Sequence, residues 1–314
     1  MAKGVRARYN APLMKRPKTI PIRIGHSPDP DDAFMFYALA HEKIDMRGFK
    51  VEHVIEDIES LNQRALRGEL EVTAVSCHAY AYLADKYLVM RSGASVGDNY
   101  GPILAQRSAL NAQRESKNKN TERCVLTVAR KRIAVPGKLT TAHLVLQFYA
   151  LSVARCALRD FESVFVPFDK VFDAVKNGEV DYGLVIHEGQ ITHAEHGLEK
   201  VLDLGAWWHE KTQPPLPLGI DIIRRDLGRE TITSFAKLFK ESIEYALNHR
   251  KDALEYASRF GRGISHELND RFVAMYVNDR TVDLGKDGET GFRTLLDQAY
   301  QHKIIPKRVA LEFV

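Results

Sequence analysis

The stretch Ile20-Pro-Ile-Arg-Ile-Gly-His-Ser-Pro-Asp-Pro-Asp-Asp-Ala-Phe-Met-Phe-Tyr-Ala-Leu39 sets the fold class. Its first half, Pro21 to Gly25, alternates as a short strand does. Pro28 and Pro30 exclude a helix from the turn His26–Asp32 that follows. Asp31 or Asp32 is then expected to cap the apolar run Ala33–Leu39 as a helix. The product is a strand, a polar turn rich in free N–H groups, and a helix. Such a junction is a ready site for an anion or a hydroxyl.

The same rhythm continues outward from this unit. Lys50–Glu56 reads as a strand, Ile58–Leu66 as a helix closed by Gly68, Val72–Ser76 as a strand and Cys77–Tyr87 as a helix. Gly101–Ala105 reads as a strand leaving this first unit. Residues 107–124 are polar and poor in apolar side chains, which predicts an exposed insertion. Order resumes with the strand Arg132–Pro136, the turn Gly137-Lys-Leu-Thr-Thr141 and a helix over Ala142–Leu158. Strands at Val164–Val166, Val180–Ile186, Val201–Gly205 and Ile220–Ile223 follow, with a helix at Phe168–Lys176 between the first two. The remainder is mostly helical, and Ile232, Phe235, Phe239, Ile243 and Ala246 fall on one helix face. Strands alternating with helices define an α/β protein. The expected architecture is two lobes, 20–104 with 220–314 and 105–219, around a central ligand cleft where strand ends converge.

Composition narrows the function classes. Of 314 residues 45% are apolar and 27% charged, as in ordinary globular proteins. No apolar run is long enough for a membrane span. The net charge of +4 comes from the first 20 residues, which hold Lys3, Arg6, Arg8, Lys15, Arg16 and Lys18 and no acid. The rest carries 39 basic against 41 acidic residues, so a nucleic-acid partner is not expected. Residues 1–19 are expected to form a basic disordered arm, and they lack the apolar segment of a secretory signal. Cys77, Cys124 and Cys156 lie far apart without a CxxC pair, which argues against disulfides or a zinc–thiolate centre. A reducing cytoplasm is the expected compartment.

Four places could carry chemistry. His187-Glu188 ends a predicted strand, where a histidine either closes the sheet edge or acts as a base. A metal site from His187, His193 and His196 is not expected, because the spacing matches no ligand pattern. Ser27 and Asp32 bound a turn with one hydroxyl and three carboxylates, able to orient a hydroxylated ligand or simply to cap a helix. Thr140 and Thr141 have the same two readings. Trp207-Trp208 is either core or a stacking surface. Ser76 and Cys77 precede His78 without the surroundings of a hydrolase nucleophile. The residues alone leave enzyme and binding protein open.

Taken in order, residues 25–39 (GHSPDPDDAFMFYAL), 131–149 (KRIAVPGKLTTAHLVLQFY), 184–188 (LVIHE), 201–208 (VLDLGAWW) and 216–219 (LPLG) closely resemble the 1,4-dihydroxy-6-naphthoate synthases of the futalosine route to menaquinone. The resemblance spans roughly residues 20–314. It implies a two-lobed, periplasmic-binding-protein-like fold of type II used for catalysis in the cytoplasm, with no cofactor. It implies cleavage of cyclic dehypoxanthinyl futalosine, a small-molecule substrate, to 1,4-dihydroxy-6-naphthoate and dihydroxyacetone. His187 would be the proton acceptor, Glu188 its neighbour in the motif, and Ser76, Thr140 and Thr141 substrate contacts. The family's first turn commonly reads SPCPND, so Asp29 and Asp31 replace a cysteine and an asparagine. Competing readings are chorismate dehydratase of the same pathway, a solute-binding protein of a transporter, and a paralogue that binds without chemistry.

Overall fold

The computed structural model describes residues 19–108, 130–153, 157–261 and 263–314. Residues 1–18 of the expected basic arm, most of the expected insertion, Cys124 and Cys156 lie outside the described residues. The strands are β1 (Ile20–His26), β2 (Phe49–Ile55), β3 (Val72–Ser76), β4 (Tyr87–Val89), β5 (Ser95–Gly97), β6 (Ile103–Arg107), β7 (Arg132–Val135), β8 (Glu162–Phe165), β9 (Tyr182–Val185), β10 (Leu198–Asp203) and β11 (Leu216–Arg224). The helices are α1 (Pro30–Ala40), α2 (Ile58–Arg67), α3 (Cys77–Tyr80), α4 (Thr141–Ser152), α5 (Val171–Lys176), α6 (Gly189–Thr192), α7 (Leu204–Thr212), α8 (Arg229–Asn248), α9 (Arg250–Ala257), α10 (His266–Tyr276), α11 (Asp279–Val282) and α12 (Gly285–Gln301).

Two sheets result. The first has the order β2-β1-β3-β11-β4, with β5 also paired to β11. β1 runs parallel to β2 and β3, whereas β11 returns antiparallel to β3, β4 and β5. The second has the order β10-β6-β9-β7-β8, with β7 parallel to β8 and β9. The chain leaves the first sheet between β5 and β6 and returns between β10 and β11. These connections touch: a Cβ added to Gly205 would lie 2.0 Å from the Tyr100 carbonyl carbon, and one on Gly101 would lie 3.0 Å from Gly205 Cα. Only glycines allow the two backbones this close.

The first core packs α1 between β1 and the helical C-terminal segment. Phe34, Met35, Phe36, Ala38 and Leu39 of α1 are buried on every side against α8, α9 and α10. Each of the larger side chains contributes about 1.5–3 kcal/mol of transfer free energy. Ile232, Phe235, Phe239, Ile243 and Ala246 of α8 are all buried, as their spacing predicts. A second cluster runs on through both sheets, joining Val75, Leu104, Ile133, Leu146, Trp208 and Leu295. Trp208 stacks on Phe148 inside this cluster, and Trp207 packs edge-on to Tyr149, so the tryptophan pair belongs to the core.

Several element boundaries differ from expectation. Pro30 does not exclude the helix: it is the first residue of α1, a position where its missing N–H costs nothing. The N-cap is consequently Asp29, and neither Asp31 nor Asp32 fills that place. α4 ends at Ser152, where Val153 turns extended, well short of Leu158. The helix expected over Cys77–Tyr87 stops at Tyr80 and gives way to β4. β11 begins earlier than expected because Pro217 lies at a register shift beside β5, where a missing donor is tolerated.

Candidate active site

The carboxyl ends of β1, β3, β7 and β9 point into one cleft between the sheets. It holds about 710 Å³ of atom-free space, counted to its open mouth. Ser27, Asp32, Ser76, Thr140, Thr141 and His187 all line it, together with Asp29 and Asp31. Glu188 does not. It is the N-cap of α6, and its carbonyl accepts from Ile191 N, Thr192 N and the Thr192 hydroxyl.

The turn after β1 is held rigidly. His26 Nδ1 donates to Ser27 O at 3.0 Å, and its ring stacks on Phe36 at 4.6 Å. Its Nε2 meets His53 Nδ1 at 3.1 Å, and burial lowers both imidazoles to about 4, so both are neutral. Ser27 N donates to Asp32 Oδ2 at 2.6 Å, and Ser27 Oγ donates to Asp29 Oδ2 at 2.6 Å. Asp32 thus satisfies a backbone N–H ahead of the helix by reaching back past the cap.

Asp29 does not cap α1 with its side chain because its carboxylate faces the other lobe. Asp29 Oδ2 lies 2.9 Å from His187 Nδ1, with Asp29 fully buried and the His187 side chain 19% exposed. His187 follows β9 in a left-handed conformation, φ +54°, which a histidine adopts only when its surroundings fix it. Phe168 meets its ring edge-on at 5.3 Å. Burial opposes charging of the imidazole, but Asp29, and after it Glu188, outweigh burial and raise His187 to about 9. The pair therefore stands as imidazolium and carboxylate at neutral pH.

The remaining wall is built from hydroxyls already tied to backbone. Thr140 Oγ1 accepts from His143 N at 3.2 Å as the N-cap of α4 and donates to Gly137 O at 2.9 Å. Thr141 Oγ1 donates to Leu218 O at 2.6 Å and accepts from His78 N at 3.3 Å. Each keeps acceptor capacity only. Ser76 is different: Asn62 accepts from its N–H at 2.9 Å and donates to its Oγ at 3.2 Å, which leaves the hydroxyl proton for the cleft.

Sequence reading missed several residues in the cleft wall and directly behind it. Asn62, fully buried on α2, positions Ser76 but offered no local signal. Gln190 and Tyr276 face each other across the cleft, the phenol donating to the amide oxygen at 2.8 Å. Asp221 of β11 lies beneath the floor at Gly93, where an added Cβ would come within 2.1 Å of Asp221 Oδ2. Burial and Asp32 push Asp221 well above the carboxylate range. Among the described residues, no group of three or more His, Cys, Asp or Glu is arranged to hold a metal ion. No helix among them is long and apolar enough to cross a membrane.

Two α/β lobes closing on a cleft with an imidazole–carboxylate pair define a binding-protein-like scaffold carrying acid–base groups. Solved structures agree on the scaffold. The alkanesulfonate-binding protein SsuA of Xanthomonas axonopodis pv. citri superposes with a TM-score of 0.67 at 14% identity, over 95% of this chain and all of that one. A protein of Archaeoglobus fulgidus superposes at 0.80 with 45% identity, over 91% and 98%. The menaquinone biosynthesis family model matches residues 22–301, and the chain belongs to that family. Two relatives are 1,4-dihydroxy-6-naphthoate synthases: one from Thermus thermophilus, 38% identical over 88% of this chain and 93% of its own, and one from Streptomyces coelicolor, 32% identical over 91% and 95%.

Proposed function

We propose that this chain is a carbon–carbon lyase that cleaves cyclic dehypoxanthinyl futalosine to 1,4-dihydroxy-6-naphthoate and dihydroxyacetone, in the cytoplasm and without a cofactor. The observation that carries the reading is the His187–Asp29 pair, 2.9 Å apart across a cleft lined by hydroxyl and carboxyl groups. Two relatives named 1,4-dihydroxy-6-naphthoate synthases, each matched over nearly its whole length, support the product.

In this reading His187 is the general base. Its ring nitrogen takes the proton of a substrate hydroxyl, and the O–H electron pair becomes the second bond of a carbonyl. The adjacent C–C bond breaks, and its electrons stay with the ring fragment, which becomes aromatic. The proton held on His187 then returns to that fragment, so no oxidant or reductant is consumed. Ser76 donates its free hydroxyl proton to the substrate. Thr140, Thr141 and Ser27 offer acceptor oxygens, and Asp32 holds the first turn. Closure of the lobes excludes water from the cleaved intermediate.

A base held near 9 works best once it is neutral. The kcat/KM of the wild type should therefore climb through an ascending limb near pH 9. The direct test is mass-spectrometric product analysis with the purified chain and cyclic dehypoxanthinyl futalosine. Wild type should form the dihydroxynaphthoate, and His187→Ala should lose at least about 100-fold in turnover. Near-wild-type turnover by His187→Ala would end the base assignment. A wild type without product would return the search to chorismate and to transported solutes.

A further inference from the structure

Three carboxyl groups lie within four residues at the start of α1, and they are not equivalent. Asp29 is held by Ser27 Oγ and His187, and Asp32 accepts from Ser27 N. Asp31 lines the cleft and is only 7% exposed, and its Oδ1 has no partner within the protein. A buried oxygen in the wall of a ligand site without a protein partner is stable only if it carries a proton or meets a cation.

The groups facing Asp31 decide between these. From its own turn come Asp29 and Asp32. From the second lobe comes His187, with Glu188 behind it outside the cleft, from α10 comes Tyr276, and beneath the floor lies Asp221 beside Asp32. His187 is the sole cation among them, and Asp29 has claimed it. Among the described residues no lysine or arginine lines the cleft. A third negative charge there has nothing to balance it. Burial, followed by Asp32 and Asp29, accordingly holds the Asp31 carboxyl well above the ordinary range.

We propose that Asp31 determines substrate specificity as a neutral carboxylic acid in the cleft wall, donating an O–H hydrogen bond to an acceptor oxygen of the ligand. A carbonyl or hydroxyl oxygen is accepted there, and a cationic group is not selected. An un-ionised carboxyl has nearly the shape and donor capacity of an asparagine amide. The proposal rests on the cleavage reading for the identity of the ligand, but not for the charge state of Asp31.

Two measurements on the full chain test it. The first needs no substrate: an infrared difference spectrum of wild type against Asp31→Asn at neutral pH should show a protonated-carboxyl band lost in the variant. The second is steady-state kinetics on cyclic dehypoxanthinyl futalosine between pH 6 and 10. Asp31→Ala should raise KM at least tenfold, with a smaller change in kcat. Asp31→Asn should recover most of that loss, and its KM should lack the alkaline rise shown by wild type. No band in the difference spectrum, or Asp31→Asn as impaired as Asp31→Ala, overturns the proposal. A wild type without turnover removes the cleavage reading alone, and the infrared band then decides the proposal by its presence or absence.

Discussion

Asp29 shows how one side chain can set the charge state of another. Its carboxylate has no exposed surface and reaches a histidine 158 positions further along the chain. Replacing it with asparagine keeps the shape and removes the charge that raises His187 to about 9. In Asp29→Asn the ascending limb of kcat/KM should move down from near 9 toward the ordinary histidine value, by about 2 units or more because burial of the imidazole remains. A pH-rate profile of the two proteins checks this, and an unmoved limb would mean that another group sets it. Stability should respond with the matching sign. A histidine whose folded pKa is raised contributes fully below about 6.5 and loses that contribution as pH rises through about 9. Urea unfolding at pH 6 should therefore separate wild type from Asp29→Asn, and at pH 10 the gap should shrink. This pairing was invisible in sequence because it joins two lobes, and no local rule links residues so far apart. His187 itself was legible, from its place at a strand end and from the motif around it. Asp31 and Asp32 were misplaced as caps because the helix was assumed to start after Pro30, not on it.

At the scale of elements, what was legible followed burial. α8 shows its face in its periodicity because one side meets the core and the other meets water. α1, buried all round, shows instead as an unbroken apolar run. Short elements were less legible. α3 and β4 share a stretch of apolar and aromatic residues, and pairing of β4 to β11 decides where the helix stops. The start of α4 was placed correctly to one residue because Thr140 is a strong cap, and this cap can be weighed. Thr140→Ala removes the acceptor for His143 N and should cost about 1 kcal/mol in urea denaturation. Thr140→Ser should restore most of it. A Thr140→Ala protein as stable as wild type would show that the backbone of this turn is held by Gly137–Leu139 and Glu59 instead.

Across the whole molecule, contacts between lobes close the cleft. Asp29 meets His187, Tyr276 donates to Gln190, Glu59 accepts from Leu139 N at 3.1 Å, and Thr141 donates to Leu218 O. Tyr276→Phe removes one of these and leaves the ring that packs on Phe272 and Tyr100. Its KM should rise severalfold while kcat changes less, because the lost bond favours the closed state and leaves the reacting groups in place. An equal fall in kcat at constant KM would assign the phenol to the chemical step instead. The helical C-terminal segment supplies Tyr276, a contribution that motif reading did not anticipate, since helices there showed only their core-facing periodicity.

The contact between Gly101 and Gly205 has a mechanical meaning. Where the two connections cross with no side chain between them, a side chain on either glycine would force the backbones apart. The spacing of the lobes at the crossing is therefore set by two missing methyl groups. Asp29 and His187 sit on opposite sides of that crossing, so their alignment depends on a glycine pair that touches neither of them.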